Sequence, residues 1–190
     1  PYTNYIDYSS IKSIQSIIKN GARFIDLDIM NKDFNSCTEP VVCYGKQVGN
    51  WKYTTPLPFR EVIHTISLLA FSHEVTNMTD PFYINLNFNT WYTKSAINKC
   101  AEVIKTFLLG RLLPNKYSYQ GRYSKVNIGT QPIQDFLGKL IIVSPNNNFK
   151  DTDMDELVNI NLSSNNLRLS NYDNIKDVAD PKELIEFNKK

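Results

Sequence analysis

Two acidic side chains, those of Asp26 and Asp28, lie side by side on one predicted strand in the segment Asp26-Leu27-Asp28. Two carboxylates with an amide nearby are the type of ligand set that holds a hard cation such as Ca²⁺. Without a cation, the pair would need a basic neighbour, because two like charges repel each other. Arg23 and Lys46 are the candidates for that neighbour.

Groups that could shuttle protons at neutral pH are scarce, since the chain has only two histidines. His64 falls within a predicted helix beside Ile63 and Ile66, and His73 follows the end of that helix. Both are interpreted as structural or surface residues. Serine-nucleophile motifs, P-loops and zinc-ligand spacings are absent from the sequence.

The composition is that of one ordinary globular domain. The chain has 190 residues, of which 42% are hydrophobic and 21% charged, and its net charge is +2. Lysines and arginines are scattered among acids, so we expect no nucleic-acid partner. No apolar run approaches the ~20 residues that cross a bilayer. The three cysteines form no CxxC pair and indicate reduced thiols in a cytosolic-type compartment, with a Cys37–Cys43 disulfide as the alternative.

Hydrophobic periodicity, proline and glycine predict the elements that must position these residues. Pro58 suits the first turn of a helix, and Gly21 and Gly138 suit helix ends. Leu140 to Val143 is fully apolar, as expected for a strand covered on both faces. The predicted helices span residues 9–20, 58–71, 90–108 and 133–137, and the predicted strands span residues 23–30, 41–44, 81–88 and 140–143.

Strands that alternate with helices predict right-handed βαβ units and a parallel sheet. Four such units make half of a (β/α)₈ barrel, which usually needs about 250 residues. We therefore expect a half barrel over residues 1–145. Residues 146–180 are polar and rich in Asn, Ser and Asp, and we expect them to form a linker.

Three segments resemble the X domain of phosphoinositide-specific phospholipase C. Residues 21–28 are similar to the family pattern Gly-Cys-Arg-x-Ile-Glu-Leu-Asp, residues 40–45 to Pro-Val-Val-Tyr-His-Gly, and residues 59–66 to Phe-x-Asp-Val-Leu-x-x-Ile. The resemblance implies an α/β fold of the TIM-barrel type, largely the first (X) half of a phospholipase C-like (β/α)₈ barrel. Residues 181–190 are similar to the segment that leads into the second (Y) half, so we expect a truncated start of that half there.

The resemblance also implies which chemistry is retained. The family cleaves a phosphodiester with two histidines and a calcium ion held by oxygen ligands. The two histidines fall on Tyr2 and Tyr44, and a tyrosine with a pKa near 10 is a poor proton shuttle. The acidic calcium ligands fall on Asp26, Asp28 and Asn87, so one of them has become an amide. The resemblance also places the family's ligand asparagine on Thr3 and its headgroup-binding lysines on Val143 and Pro145.

The leading hypothesis is therefore a catalytically inactive X-domain-like protein. It would act as a structural or interaction module in a larger chain or assembly, bound to other protein chains, with a viral structural component as one context. No cofactor is expected, and Asp26 and Asp28 would be a vestigial, weak metal site at most. The location is expected to be cytoplasmic or virion-associated.

Two alternatives stay open. One is an active phosphodiesterase in which Asp26 and Asp28 hold a metal and a base comes from a second half. The other is a module that binds lipid without cleaving it. Aromatic residues near the barrel mouth could form a membrane-contacting or partner-contacting patch instead of covering core edges, and they are Trp51, Tyr53, Trp91 and Tyr92. The aromatic and basic run 116–125 is interpreted as a solvated loop.

Overall fold

The computed structural model describes residues 7–33, 39–46, 51–89, 94–118, 126, 128–145 and 147–162. The helices in these residues are α1 (Ile11–Lys19), α2 (Phe59–Leu69) and α3 (Lys94–Leu108). The strands are β1 (Phe24–Asn31), β2 (Pro40–Val42), β3 (Gly45–Lys46), β4 (Trp51–Lys52), β5 (Leu57–Pro58), β6 (Phe82–Phe88), β7 (Leu140–Ser144) and β8 (Ile160–Asn161).

Six strands form one mixed sheet in the order β5-β2-β1-β6-β7-β8, and β3 pairs with β4 in a separate hairpin. Strands β1, β6 and β7 are parallel, as predicted. Strand β8, which lies in the expected linker and was not predicted, adds a further parallel pairing to β7. The expectation that the strand near residues 41–44 is also parallel is wrong, because β2 runs antiparallel to β1. The connection has only residues 32–39, whereas a parallel crossover needs about a dozen residues or more.

The helices cover one face of the sheet, and the main apolar core lies between the two layers. Leu27 of β1, Leu86 of β6 and Ile142 of β7 pack in this core with Ile63 of α2 and Ile104 of α3. Helix α2 packs against both α1 and α3. This layer of helices fixes the parallel strands β1 and β6 side by side.

Local signals in the sequence account for the ends of α1. The Ser10 side-chain oxygen accepts a hydrogen bond from the Ser13 backbone N–H at 3.1 Å, which caps the helix. Gly21 follows the helix with a φ of 94°, a left-handed conformation that favours glycine. The chain can therefore turn directly from α1 into β1.

The opposite face of the sheet is partly open. Alternate residues of β1 point to this face, and they include Phe24, Asp26 and Asp28. Although Phe24 is apolar, its side chain is 55% exposed. Its ring stacks on Tyr83 of β6, with 6.3 Å between centroids. A second apolar cluster covers the β7 part of this face and contains Tyr117, Phe136, Ile141 and Val143.

The first part of the expected polar linker is folded onto the sheet. Phe149, Met154 and Val158 are buried in the main core, and β8 pairs with β7. The Asn159 side-chain oxygen accepts a hydrogen bond from the Ile142 backbone N–H at 2.9 Å. Polar composition hid this packing, because a few widely spaced apolar residues carry it. Residues 163–180 lie outside the described part, and a domain boundary near residue 145 stays a prediction.

The remaining predicted elements are largely present. Residues Ile133–Phe136 form a short 3₁₀ helix rather than an α-helix. Helix α3 is described from Lys94, and the expected start at residues 90–93 lies outside the described residues. Residues 181–190, expected to begin a second half, also lie outside them. Within the described parts, no helix combines the length and the apolar character that spanning a membrane requires.

Candidate functional site

Parallel pairing of β1 and β6 lines up acids with amides on the partly open face. Asp26 lies opposite Asn85, and Asp28 lies opposite Asn87. The Asn85 side-chain N–H donates to Asp26 Oδ1 at 2.8 Å, and the Asn87 side-chain N–H donates to Asp28 Oδ1 at 2.7 Å. The Asn89 side-chain N–H also donates to Asp28 Oδ1, at 3.3 Å. We call these five residues the carboxylate–amide ladder.

The ladder stands where chemistry is expected in a fold of this kind. Asp28 and Asn87 lie in the second half of their strands, and Asn89 follows β6 directly. In TIM-barrel proteins, functional groups sit at the carboxyl ends of the parallel strands. The ladder is therefore the candidate functional site.

The amides of the ladder act as donors toward both acids. A calcium ion takes six to eight oxygen ligands, and carboxylates supply much of the compensating charge. Here the amides turn N–H groups, not oxygens, toward Asp26 Oδ1 and Asp28 Oδ1. Across the described residues, no three His, Cys, Asp or Glu side chains are grouped closely enough to hold a metal. The donor set therefore does not fit a calcium ion.

The charge of Asp28 is incompletely compensated. Burial raises the pKa of the Asp28 carboxyl, and the neighbouring charge of Asp26 raises it further, while the hydrogen bond from Asn87 opposes them. None of the ion pairs between described residues includes Asp26 or Asp28. The ladder thus presents two acids whose main partners are neutral amides.

Arg23, expected as a neutralising neighbour, lies elsewhere. Its guanidinium donates hydrogen bonds to the backbone oxygens of Ala70 and Asp80, and it lies 5.0 Å from the centroid of the Phe82 ring. Arg23 precedes β1, at the end of the strand away from Asp28, so this part of the prediction is wrong. The side chain of Lys46, the other expected neighbour, lies outside the described residues.

Cys43 lies next to Asp28 across the β1–β2 pair, which the sequence did not indicate. Its backbone N–H donates to the Asp28 carbonyl oxygen at 3.0 Å. Its thiol is free and buried, and burial is the main cause that raises its pKa to about 11. Lys52 lies close enough to lower that pKa, and burial lowers the pKa of Lys52 in turn. A protonated thiol of this kind is a poor nucleophile and a poor metal ligand.

Tyr44 follows Cys43 and points outward. Its side chain is 61% exposed, and its ring centroid lies 5.8 Å from that of Tyr53. Trp51 on the adjoining hairpin is also exposed. Tyr2, Thr3, Trp91 and Tyr92 lie outside the described residues, so the rest of the expected aromatic patch stays a prediction.

The two histidines are on the surface, as predicted. His64 lies on α2, is exposed and packs against Phe107, with 4.8 Å between ring centroids. His73 is exposed in the turn region after α2. Helix α2 covers the helical face of the sheet, whereas the ladder lies on the opposite face.

Asn85 and Asn89 are the ladder members that sequence reasoning did not single out as site residues. The signal that could have found them is the alternation Asn85-Leu86-Asn87-Phe88-Asn89, which places three amides on one face of a strand. Their pairing with Asp26 and Asp28 also needed the register of two strands that are far apart in sequence.

A family model described as "Phosphatidylinositol-specific phospholipase C, X domain" matches residues 2–152. The chain belongs to this family. The resemblance proposed from the sequence is confirmed, and so is the α/β fold class of the TIM-barrel type, with a sheet and helices like those of the X half. No curated protein matches this X domain.

Solved structures of low sequence identity share the fold. PLC21 of L. pealei has a TM-score of 0.57 and 16% identity over 80% of this chain and 21% of its own length. PLC21 of S. officinalis has a TM-score of 0.55 and 18% identity, over 83% and 21%. A calcium-dependent phosphoinositol-specific phospholipase C of Pseudomonas sp, in a myoinositol complex, has a TM-score of 0.52 and 14% identity, over 82% and 63%.

The X domain thus spans about a fifth of the two PLC21 chains and under two thirds of the bacterial enzyme. What those whole proteins do is therefore a property of more chain than this sequence contains. The family assignment establishes the fold of this domain. The activity of the domain depends on its own residues.

Proposed function

We propose that this X domain is catalytically inactive and serves as a structural or interaction module within a larger chain or protein assembly. The observation that carries the proposal is the direction of the hydrogen bonds in the ladder. Asn85, Asn87 and Asn89 direct N–H groups at Asp26 and Asp28, where a cation would need oxygen ligands. The domain is proposed to work without calcium, since those amides already meet the carboxylates.

The described groups near Asp28 support the same proposal. Tyr44 stands where the family pattern has a histidine. Its side chain is exposed and lies beside the ring of Tyr53. General acid–base catalysis works best with a pKa near the operating pH, which a phenol does not provide. Cys43 beside Asp28 is buried and holds its proton, so it offers no replacement.

Other protein chains are the proposed partners, because one face of the sheet is partly open and carries the exposed Phe24 and Asp26. A lipid contact through exposed aromatic residues such as Trp51 is a secondary proposal, and no nucleic-acid partner is proposed. A virion-associated or cytoplasmic location and a viral structural role stay predictions.

Turnover of phosphatidylinositol vesicles in calcium-containing buffer tests the proposal, with the full chain and the Pseudomonas enzyme as a positive control. We expect the X domain to give the same signal as a protein-free blank. The matched variant is Asp28→Asn, which keeps the shape of the side chain and removes its charge. Turnover by the wild type that is lost in Asp28→Asn would show an active phosphodiesterase and overturn the proposal.

A further inference from the structure

Asn85 carries a buried acceptor that has no donor. The residue is 9% exposed, its side-chain N–H donates to Asp26 Oδ1, and its Oδ1 has no hydrogen-bond partner in the part of the chain that the structure describes. Leaving a buried amide oxygen unpaired costs folding free energy, so a group that donates to it would stabilise the site. The atom belongs to the same amide group that contacts Asp26, so it lies within the ladder.

The two acids of the ladder add unfilled acceptors of their own. Asp26 is exposed, Asp28 is half-buried, and neither takes part in an ion pair with another described residue. Burial and the neighbouring charge of Asp26 raise the pKa of Asp28, so a positive group beside it would be favourable. Together with the amide of Asn85, whose N–H donates to Asp26 and whose oxygen is buried and unpaired among the described residues, they form a negatively charged patch with acceptors left open.

An apolar surface adjoins this patch on the same face. Phe24 pairs with Tyr83 across β1 and β6. This pair lies two residues before the pair of Asp26 and Asn85, on the same face of the sheet. The Phe24 ring is more than half exposed and stacks on Tyr83. A ligand that meets the acids would therefore also meet two aromatic rings.

The acidic patch and the two aromatic rings beside it indicate which chemical group could bind there. It requires hydrogen-bond donors with a positive charge and an apolar stem, and lysine and arginine side chains have both. A metal ion fits poorly, since Asn85 and Asn87 turn N–H groups toward the acids. Arg23 is bound to backbone oxygens at the other end of β1, and no ion pair between described residues joins Lys52 to either acid.

We propose that Asp26, Asp28 and Asn85 form a socket for a lysine or arginine side chain of another protein chain, with Phe24 and Tyr83 packing against its apolar stem. This inference rests on the proposed function, because it names the kind of partner that the inactive module binds. The negative charges of Asp26 and Asp28 favour a basic segment as the partner, and the rings of Phe24 and Tyr83 favour apolar residues beside its cation.

The test is a titration of the full chain with two blocked tripeptides, Leu-Lys-Leu and Leu-norleucine-Leu, followed by the NMR signals of the asparagine side-chain amides. We expect a saturable shift of the Asn85 amide with the lysine peptide and none with the norleucine peptide. Asp26→Asn should weaken binding at least about tenfold, because it removes one charge of the socket. The control Asp135→Asn, an exposed acid elsewhere, should leave the affinity unchanged.

Each other outcome counts against the socket. Equal shifts with both peptides, or no shift of Asn85, would overturn it. A saturable shift with CaCl₂ instead of the lysine peptide would assign the ladder to a metal. If Lys46→Met moves the Asn85 amide signal before peptide is added, Lys46 of the same chain fills the socket and the partner is not needed. If the lysine peptide does not bind and phosphatidylinositol is not turned over, the socket is wrong and the proposed function stands. If phosphatidylinositol is turned over, the proposed function is wrong.

Discussion

Asn87 is the residue that bears most directly on whether the ladder needs a cation. A carboxylate there would add a third negative charge beside Asp28 and Asp26 and would call for a cation. The amide adds no charge and donates a hydrogen bond to Asp28 at 2.7 Å. An amide at this position thus makes residue 87 a hydrogen-bond donor to Asp28 rather than a further negative ligand for a cation.

Asn87→Asp should recreate the need for a cation. In buffer with a chelator we expect the variant to melt at a lower temperature than the wild type, because three carboxylates repel one another. Adding CaCl₂ should restore part of the loss, since a cation that binds the folded state stabilises it. Thermal melting of Asn87→Asp, the wild type and the exposed control Asn115→Asp measures this. Equal calcium responses in all three would contradict the prediction.

Asp28→Asn should leave the melting temperature unchanged or raise it slightly. The substitution removes a half-buried charge whose pKa is raised by burial and by Asp26. The new side chain can still accept a hydrogen bond from Asn87 through its oxygen. Thermal melting with calcium and with a chelator checks this. A large drop that is seen only in calcium would mean that Asp28 holds a metal in the wild type.

The buried thiols should resist modification in the folded chain. Burial raises the pKa of the Cys43 thiol to about 11 and raises that of Cys100 as well. Both keep their protons more tightly when folded than when unfolded, so their contribution to stability is fully present at neutral pH and is lost at alkaline pH. At pH 8, iodoacetamide followed by peptide mass spectrometry should find both cysteines unlabelled until denaturant is added. Rapid labelling of Cys43 without denaturant would contradict its buried position.

At the scale of elements, β1 carries both the core and the ladder on its two faces. Its odd-numbered residues Ile25, Leu27 and Ile29 are buried against the helices, and Asp26 and Asp28 face the other way. The pairing with β6 is therefore held by apolar packing on one side and by amide hydrogen bonds on the other. The core side supplies most of the stability, because the ladder is partly exposed.

Leu27→Ala should destabilise the fold strongly. Leu27 is 2% exposed and lies in the main core, so truncation removes buried apolar area and leaves a cavity. We expect a loss of ~2–5 kcal/mol in the free energy of unfolding. Ile17→Ala on the exposed side of α1 is the matched control, with an expected change of about 0.5 kcal/mol or less. Urea denaturation measures both, and similar losses would contradict the assigned faces.

Periodicity predicted the strands and helices at this scale better than it predicted their directions. The apolar runs that became β1, β6 and β7, and the stripes that became α1 and α2, were readable because each buries a whole face. The direction of β2 depends on the length of the loop before it, and the sequence pattern of the strand itself is the same either way. The exposure of Phe24 likewise depends on which face of β1 the helices cover.

At the scale of the whole molecule, one face of the sheet is closed by helices and the other is only partly covered. The family assignment followed from short motifs, and the structure agrees with it. The ladder as a network was not predictable, since it needs the register of strands separated by more than fifty residues. The packing of residues 147–162 was missed because polar residues outnumber the three that enter the core.

The most direct test of the central claim follows the side-chain amide signals of Asn85 and Asn87 by NMR while CaCl₂ is added to the full chain. If amides have taken the place of the cation, both signals should stay unchanged up to ~10 mM calcium, beyond the range in which even weak protein sites fill. A saturable shift of the Asn87 amide at lower concentrations, abolished by Asp28→Asn, would show that the acids still bind calcium and would contradict the account.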